Sequence, residues 1–137
     1  MAVLAVPVAC QYSSEAAAKQ ARAHAIDNAV SSAKSILLEM NSDPAVKNAD
    51  PAVAAKNAAR YLSPPHPADA VVNSPGFELR TQFDEPWQSM NQEHRIRLCL
   101  SYVSSDAGSA PILLVDRPCP SDVFFVPGLD EVVKLTG

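Results

Sequence analysis

Glycine is scarce here, four residues in 137, and none falls in a Gly-rich run. That leaves no phosphate-cradling loop and no Gly-x-Ser-x-Gly elbow for a serine nucleophile. Cysteine is nearly as rare: Cys10, Cys99 and Cys119, with no Cys-x-x-Cys spacing, so the pattern predicts neither a zinc site nor a disulfide framework. Basic charge is also lacking. Eleven Lys and Arg stand against fifteen Asp and Glu, and a net charge of −4 argues against a general nucleic-acid binder. No apolar run approaches the roughly 18 residues a membrane span requires.

What is present is the composition of a globular chain: 47% hydrophobic and 19% charged residues, in a length expected to form one domain. Residues 1–12 are apolar and read as an extended arm. Its Met1–Ala9 stretch ahead of Cys10 has the outline of an export or lipoprotein signal without the basic start. Cytoplasmic residence is the default expectation, with export or organellar import as alternatives.

Residues 13–62 read as a helical half. Ser13 or Ser14 offers an N-cap, and no Gly or Pro follows before Pro44. Ala18, Ala21, Ala25, Ala29, Ala33, Ile36, Leu37 and Met40 recur at helical spacing, with Ile26 and Val30 widening the stripe. Alanine methyls bury little area but let a neighbouring backbone come close. Asp43-Pro44 and Asp50-Pro51 then repeat one start signal, Asp as N-cap and Pro as first helical residue.

Residues 63–76, with Pro64, Pro65 and Pro67, read as a stiff connector and loop. The β half is expected over 77–137. Phe77–Phe83 alternates cleanly, and Arg95–Val103 is the longest alternating stretch in the chain. Asp84–Trp87 is expected to end the first strand, and Gln88–Glu93 to form a loop or helical turn. Ile112–Val115 and Val123–Val126 complete the strands, and Leu129, Val132, Val133 and Leu135 suggest a short C-terminal helix. The fold class is therefore α+β: Ala-rich N-terminal helices, then a mostly antiparallel sheet of about four strands.

The sheet's two faces can be assigned. Ile96, Leu98, Leu100, Tyr102, Ile112 and Leu114 share the first, which the long helix covers. Cys99, Ser101, Val103, Leu113 and Val115 share the second, with one of Phe124 and Phe125. Val103, Leu113, Val115 and Phe125 thus mark an apolar second face for a protein partner or for self-association. If Val103 faces Pro111, Cys99 faces Val115, and Cys119 lies roughly 13 Å further along at about 3.3 Å per residue. On that register no disulfide forms, and reduction leaves the fold unchanged.

Chemistry candidates are thin. Arg80, Arg95 and Arg97 fall on polar strand positions and offer an anion patch, or else pair with acids such as Glu78 across the sheet. An outer-face Arg97 is expected to tolerate Asp far better than core-facing Leu100 does. His24 and Asp27 share a helix face but lack a third metal ligand, His66 sits in the Pro loop, and His94 opens a strand. Cys119, between two prolines, has no evident base to activate it. No cofactor or metal is predicted. The leading expectation is a non-enzymatic binding or assembly protein, an accessory subunit or chaperone-like module acting through the apolar sheet face. The alternatives are a small enzyme using His66, Cys119 or the arginines on a small anionic substrate, and an exported pilin-like or envelope protein. The last follows from the order of elements: one long helix, then a four-stranded sheet with two late cysteines, resembles the globular part of a type IV pilin. The long hydrophobic N-terminal segment of that family is missing. In size and acidity the chain also resembles small secretion chaperones.

Overall fold

Alanine every fourth residue brings a long helix directly onto a β-sheet. The computed structural model of the chain describes residues 2–120 and 126–135, with side chains from residue 15 onward. Helix α1 (Ala2–Ser42) seats Ala25, Ala29, Ala33 and Met40 on the sheet, all essentially inaccessible to solvent. The approach is close enough for the buried Tyr102 hydroxyl to donate to the Ala33 carbonyl at 2.8 Å. At the other end of this seat, Asn41 clamps Ile112: its Nδ2 donates to the Ile112 carbonyl and its Oδ1 accepts from the Ile112 N–H.

Helices α2 (Pro44–Lys47) and α3 (Pro51–Ala59) follow the two Asp-Pro starts. Asp43 accepts from the Ala45 N–H at 2.9 Å and from the Tyr61 hydroxyl at 2.6 Å, whereas Asp50 makes no side-chain cap. Val46, Ala54, Ala58 and Leu62 extend the core begun by α1.

Among the described residues the sheet has five strands: β1 (Ala68–Asn73), β2 (Gly76–Ser89), β3 (Gln92–Ser104), β4 (Leu113–Asp116) and β5 (Asp130–Val133). Their order is β1-β2-β3-β4, all antiparallel, and β5 lies parallel to β3 further along the edge that β4 occupies. The α+β class and a mostly antiparallel sheet therefore hold, and the first face carries Ile96, Leu98, Leu100 and Tyr102, all fully buried.

Several boundaries differ from expectation. The arm over residues 2–12 is helical, continuous with α1. Ser13 and Ser14 permit a helix start without forcing one, because serine is also tolerated inside a helix. The connector expected over 63–76 contains β1. Its Ala70-Val71-Val72 core pairs with β2, and Ser74-Pro75 closes a two-residue turn. Gly76 is required there: a Cβ would sit 2.0 Å from the Ser104 carbonyl oxygen. Strand β2 runs through Pro86 to a turn at Met90-Asn91, since beyond Thr81 no strand among the described residues flanks its other edge and a missing N–H costs nothing on that side. The C-terminal helix is instead β5. Its two adjacent valines suit a strand, and β3 offers an unpaired edge beyond Leu100. The expected strand over 123–126 falls almost wholly outside the described residues; Val126 itself is not in a strand.

The largest correction concerns the hairpin register. The connection after β3 curls at Asp106, which accepts from Ser109 and Ala110, and it tucks Ala107 into the core. This slides β4 by two residues, so Val103 faces Leu113 rather than Pro111. Arg117 then lies opposite Cys99, its N–H on the Cys99 carbonyl at 3.1 Å. Cys119 is two residues on, and Cys99 and Cys119 form a disulfide with their Cα atoms 5.4 Å apart. A two-residue slide keeps every side chain on its own face, so the face assignment survives the error in register.

Candidate interaction surface

The strand pairings lay out the second sheet face as cross-strand rows. Val71, Glu78, Val103 and Leu113 form one row; Asp69, Arg80, Ser101 and Val115 form the next. Gln82 and Cys99 follow, with Arg117 beside them, and then Asp84, Arg97 and Val132. The face is apolar at its β4 corner, and its charged residues, Asp69, Glu78, Arg80, Asp84, Arg97 and Arg117, lie outside that corner.

Leu113 is 58% exposed, and Val103 and Val115 are half-buried beside it. These three expected partner-binding residues do come together; Phe125, the fourth, lies outside the described residues. Next to them Glu78 accepts from the Ser101 hydroxyl at 2.6 Å and from Arg117 Nε at 2.9 Å, and its carboxylate lies 3.5 Å from Arg80. The Ser101 hydrogen bond, ahead of the arginines, holds the Glu78 carboxyl below its ordinary range.

The three arginines of the expected anion patch each face a carboxylate. Arg80 lies near Glu78, Arg95 donates to Asp130 at 2.9 Å, and Arg97 grips Asp84 with Nε and Nη2 at 2.8 and 3.1 Å. Arg97 does point to the second face, but it is only 5% exposed. Its expected tolerance of Asp rested on solvent exposure that it does not have. Asp130 also accepts from the Val126 N–H at 2.8 Å, and that bond, with Arg95, lowers its pKa.

Between β1 and the disulfide-held segment runs an open groove of about 800 Å³. Pro67 forms one wall, Pro118 and Pro120 the other, and Glu78, Arg80 and Gln82 contribute to its lining. Its acids and bases are largely occupied with one another, which suits recognition better than proton transfer.

The other chemistry candidates lie apart. The His66 ring packs on Phe83, 4.0 Å between centroids, towards the first face, while Cys119 is in the disulfide on the second. His94 stacks on its cross-strand neighbour Trp87 at 4.1 Å and lies 2.9 Å from the Ser89 hydroxyl. His24 and Asp27 are exposed on α1. Among the described residues no cluster of His, Cys, Asp and Glu is arranged to hold a metal ion, and no helix is long and apolar enough to cross a membrane.

A further surface was not anticipated. Helix α1 leaves the sheet near Ala18 and Ala21, both half-buried, and Arg22 is tied bidentately to Glu131 of β5. Beyond Ala18, Glu15, Ala16 and Ala17 are exposed, and the helix continues to Ala2. No family model, curated protein or solved structure matches the chain.

Proposed function

We propose that this chain is a non-enzymatic assembly subunit that docks through α1 and through the Val103–Leu113–Val115 corner of the sheet. One observation carries the reading: α1 is exposed at Glu15, Ala16 and Ala17, just before its seat on the sheet begins, and the helix continues from there to Ala2. From Ala17 back to Ala2 it adds roughly 25 Å of helix at about 1.5 Å per residue. Residues 2–9 of that stretch are apolar throughout, a composition suited to packing against helices of other subunits. The Cys99–Cys119 disulfide supports an oxidising compartment, which favours export over the cytoplasm. The scatter of His66, Cys119 and the paired arginines gives the enzyme alternative no comparable support.

Sedimentation velocity tests the reading on the whole chain and on a chain beginning at Glu15. The whole chain is expected to form oligomers at tens of micromolar, and removal of residues 2–14 to shift the distribution sharply towards monomer. A whole chain that sediments as a monomer, or a shortened chain that associates equally well, would overturn it.

A further inference from the structure

The sheet has two lateral edges, and they are not equally protected. Backbone parity decides which groups face out. The Arg95 N–H donates to Leu129, and the Cys99 carbonyl accepts from Arg117, so odd-numbered residues of β3 bond towards β4 and β5. Even-numbered residues of β3 therefore bond to β2, and their partners there are odd-numbered, such as Leu79 opposite Tyr102. Even-numbered residues of β2 then turn to β1, pairing Gly76, Glu78 and Arg80 with Asn73, Val71 and Asp69. What remains on the outer edge of β1 is the N–H and C=O of Ala68, Ala70 and Val72. None of these groups has a hydrogen-bond partner among the described residues.

Sheet edges of this kind are normally guarded by Pro, Lys, a bulge or a covering segment. The free edge of β2 beyond Thr81 carries Pro86, and the β4–β5 edge is interrupted by the disulfide-held segment. Strand β1 carries no Pro, Lys or bulge within Ala68–Asn73. Ala68, Ala70 and Val72 are all exposed, and Val72 is 44% accessible.

We infer that the outer edge of β1 pairs antiparallel with β1 of a second copy about a two-fold axis at Ala70, joining the two sheets into one. About that axis Ala70 meets Ala70 of the second copy, and Val72 meets Ala68. Every outward N–H then finds an outward C=O. The three contact positions are small or β-branched and uncharged. Asp69, the one charge on the strand, lies opposite its own Arg80 on the second face and faces Val71 of the other copy. The self-complementary run of uncharged positions selects a second copy over an unrelated strand. This contact adds to the assembly reading above and does not require α1. An edge contact this short places the dimer well below the usual interface size, so association is expected to be weak.

The test is residue-resolved amide exchange on the 137-residue chain at about 10 and 500 µM, beside sedimentation at both concentrations. Raising the concentration is expected to slow exchange at Ala68, Ala70 and Val72, and to leave Asp69, Val71 and Asn73 nearly unchanged because they already bond to β2. Ala70→Pro removes an outward donor that the monomer does not use, and Val72→Lys installs an edge guard. Each is expected to abolish the gain at the remaining outward positions and to weaken this association at least tenfold, with the β1–β2 pattern intact. Association with protection only along α1 would overturn the edge contact while sparing the assembly reading. A monomer at both concentrations, or an alternating gain that survives both variants, would overturn it too.

Discussion

Arg97 shows how a residue's face and its burial are separate facts. It projects from the side of β3 away from α1, yet it is only 5% exposed and its guanidinium is held on the Asp84 carboxylate. The hydrogen bonds to Asp84 raise its pKa further above the ordinary guanidinium value, so it is charged at any accessible pH. Arg97→Asp removes both of those bonds and sets a second carboxylate beside that of Asp84. A loss of about 3 kcal/mol is expected, from the value of hydrogen bonds to charged groups and the penalty for an uncompensated partner. Leu100→Asp buries an unpaired charge on the first face and is expected to cost at least as much, about 4 kcal/mol. Urea midpoints of the two variants check this: both should fall steeply, and an Arg97→Asp midpoint equal to wild type would mean that the Asp84 pair contributes nothing.

At the scale of elements, the disulfide holds together a strand order that is otherwise loosely closed. Strands β4 and β5 share one edge of β3 without being adjacent in sequence, and Cys99 stands between the stretches of β3 that they occupy. The bridge spans 20 residues, and closing a loop of that length removes enough unfolded-state entropy to contribute about 3 kcal/mol. For a chain of this size that corresponds to a melting temperature about 10 °C lower on reduction. Thermal melts with and without reductant, read by circular dichroism, measure it; coincident melts would show that pairing of β4 and β5 alone holds the edge. The stripe on α1 was legible in the sequence because its period is local, and Ala25, Ala29, Ala33 and Met40 are buried as the spacing required. Strand β5 was not legible, because Leu129, Val132 and Val133 satisfy a helical spacing as readily as a strand, and only the vacant edge of β3 decides between them.

For the whole molecule, the carboxylates that tie elements together set its response to acid. Glu131 joins β5 to Arg22 of α1, Glu78 joins β2 to Ser101 and Arg117, Asp130 holds Val126 and Arg95, and Asp43 holds Tyr61. All four pKa values are lowered by these bonds. A carboxyl whose folded pKa lies below its unfolded value contributes its stability above the unfolded value and loses it as pH falls through the folded one. The melting temperature is therefore expected to stay level from about pH 8 to 5 and to drop below about pH 4, in the carboxylate range. Tyr102 acts in the opposite sense: burial raises its pKa, so its contribution is intact below the ordinary tyrosine value near pH 10 and fades above it. Melting curves across this range check both limbs, and a melting temperature that rose on acidification below pH 4 would contradict the first.

The sequence by itself determined the local periodicities: the apolar stripe of α1, the alternation of β2 and β3, the two Asp-Pro helix starts, and the faces to which Leu100, Tyr102, Leu113 and Val115 point. Each depends on residues a few positions apart, where backbone geometry alone relates side chain to side chain. Only the tertiary structure decided which strands meet and in what register. The curl at Asp106 moved β4 by two residues and brought Cys119 to Cys99, and the vacant edges of β2 and β3 drew in β1 and β5. Those outcomes depend on contacts between distant segments competing for the same hydrogen bonds, and no local pattern encodes the winner.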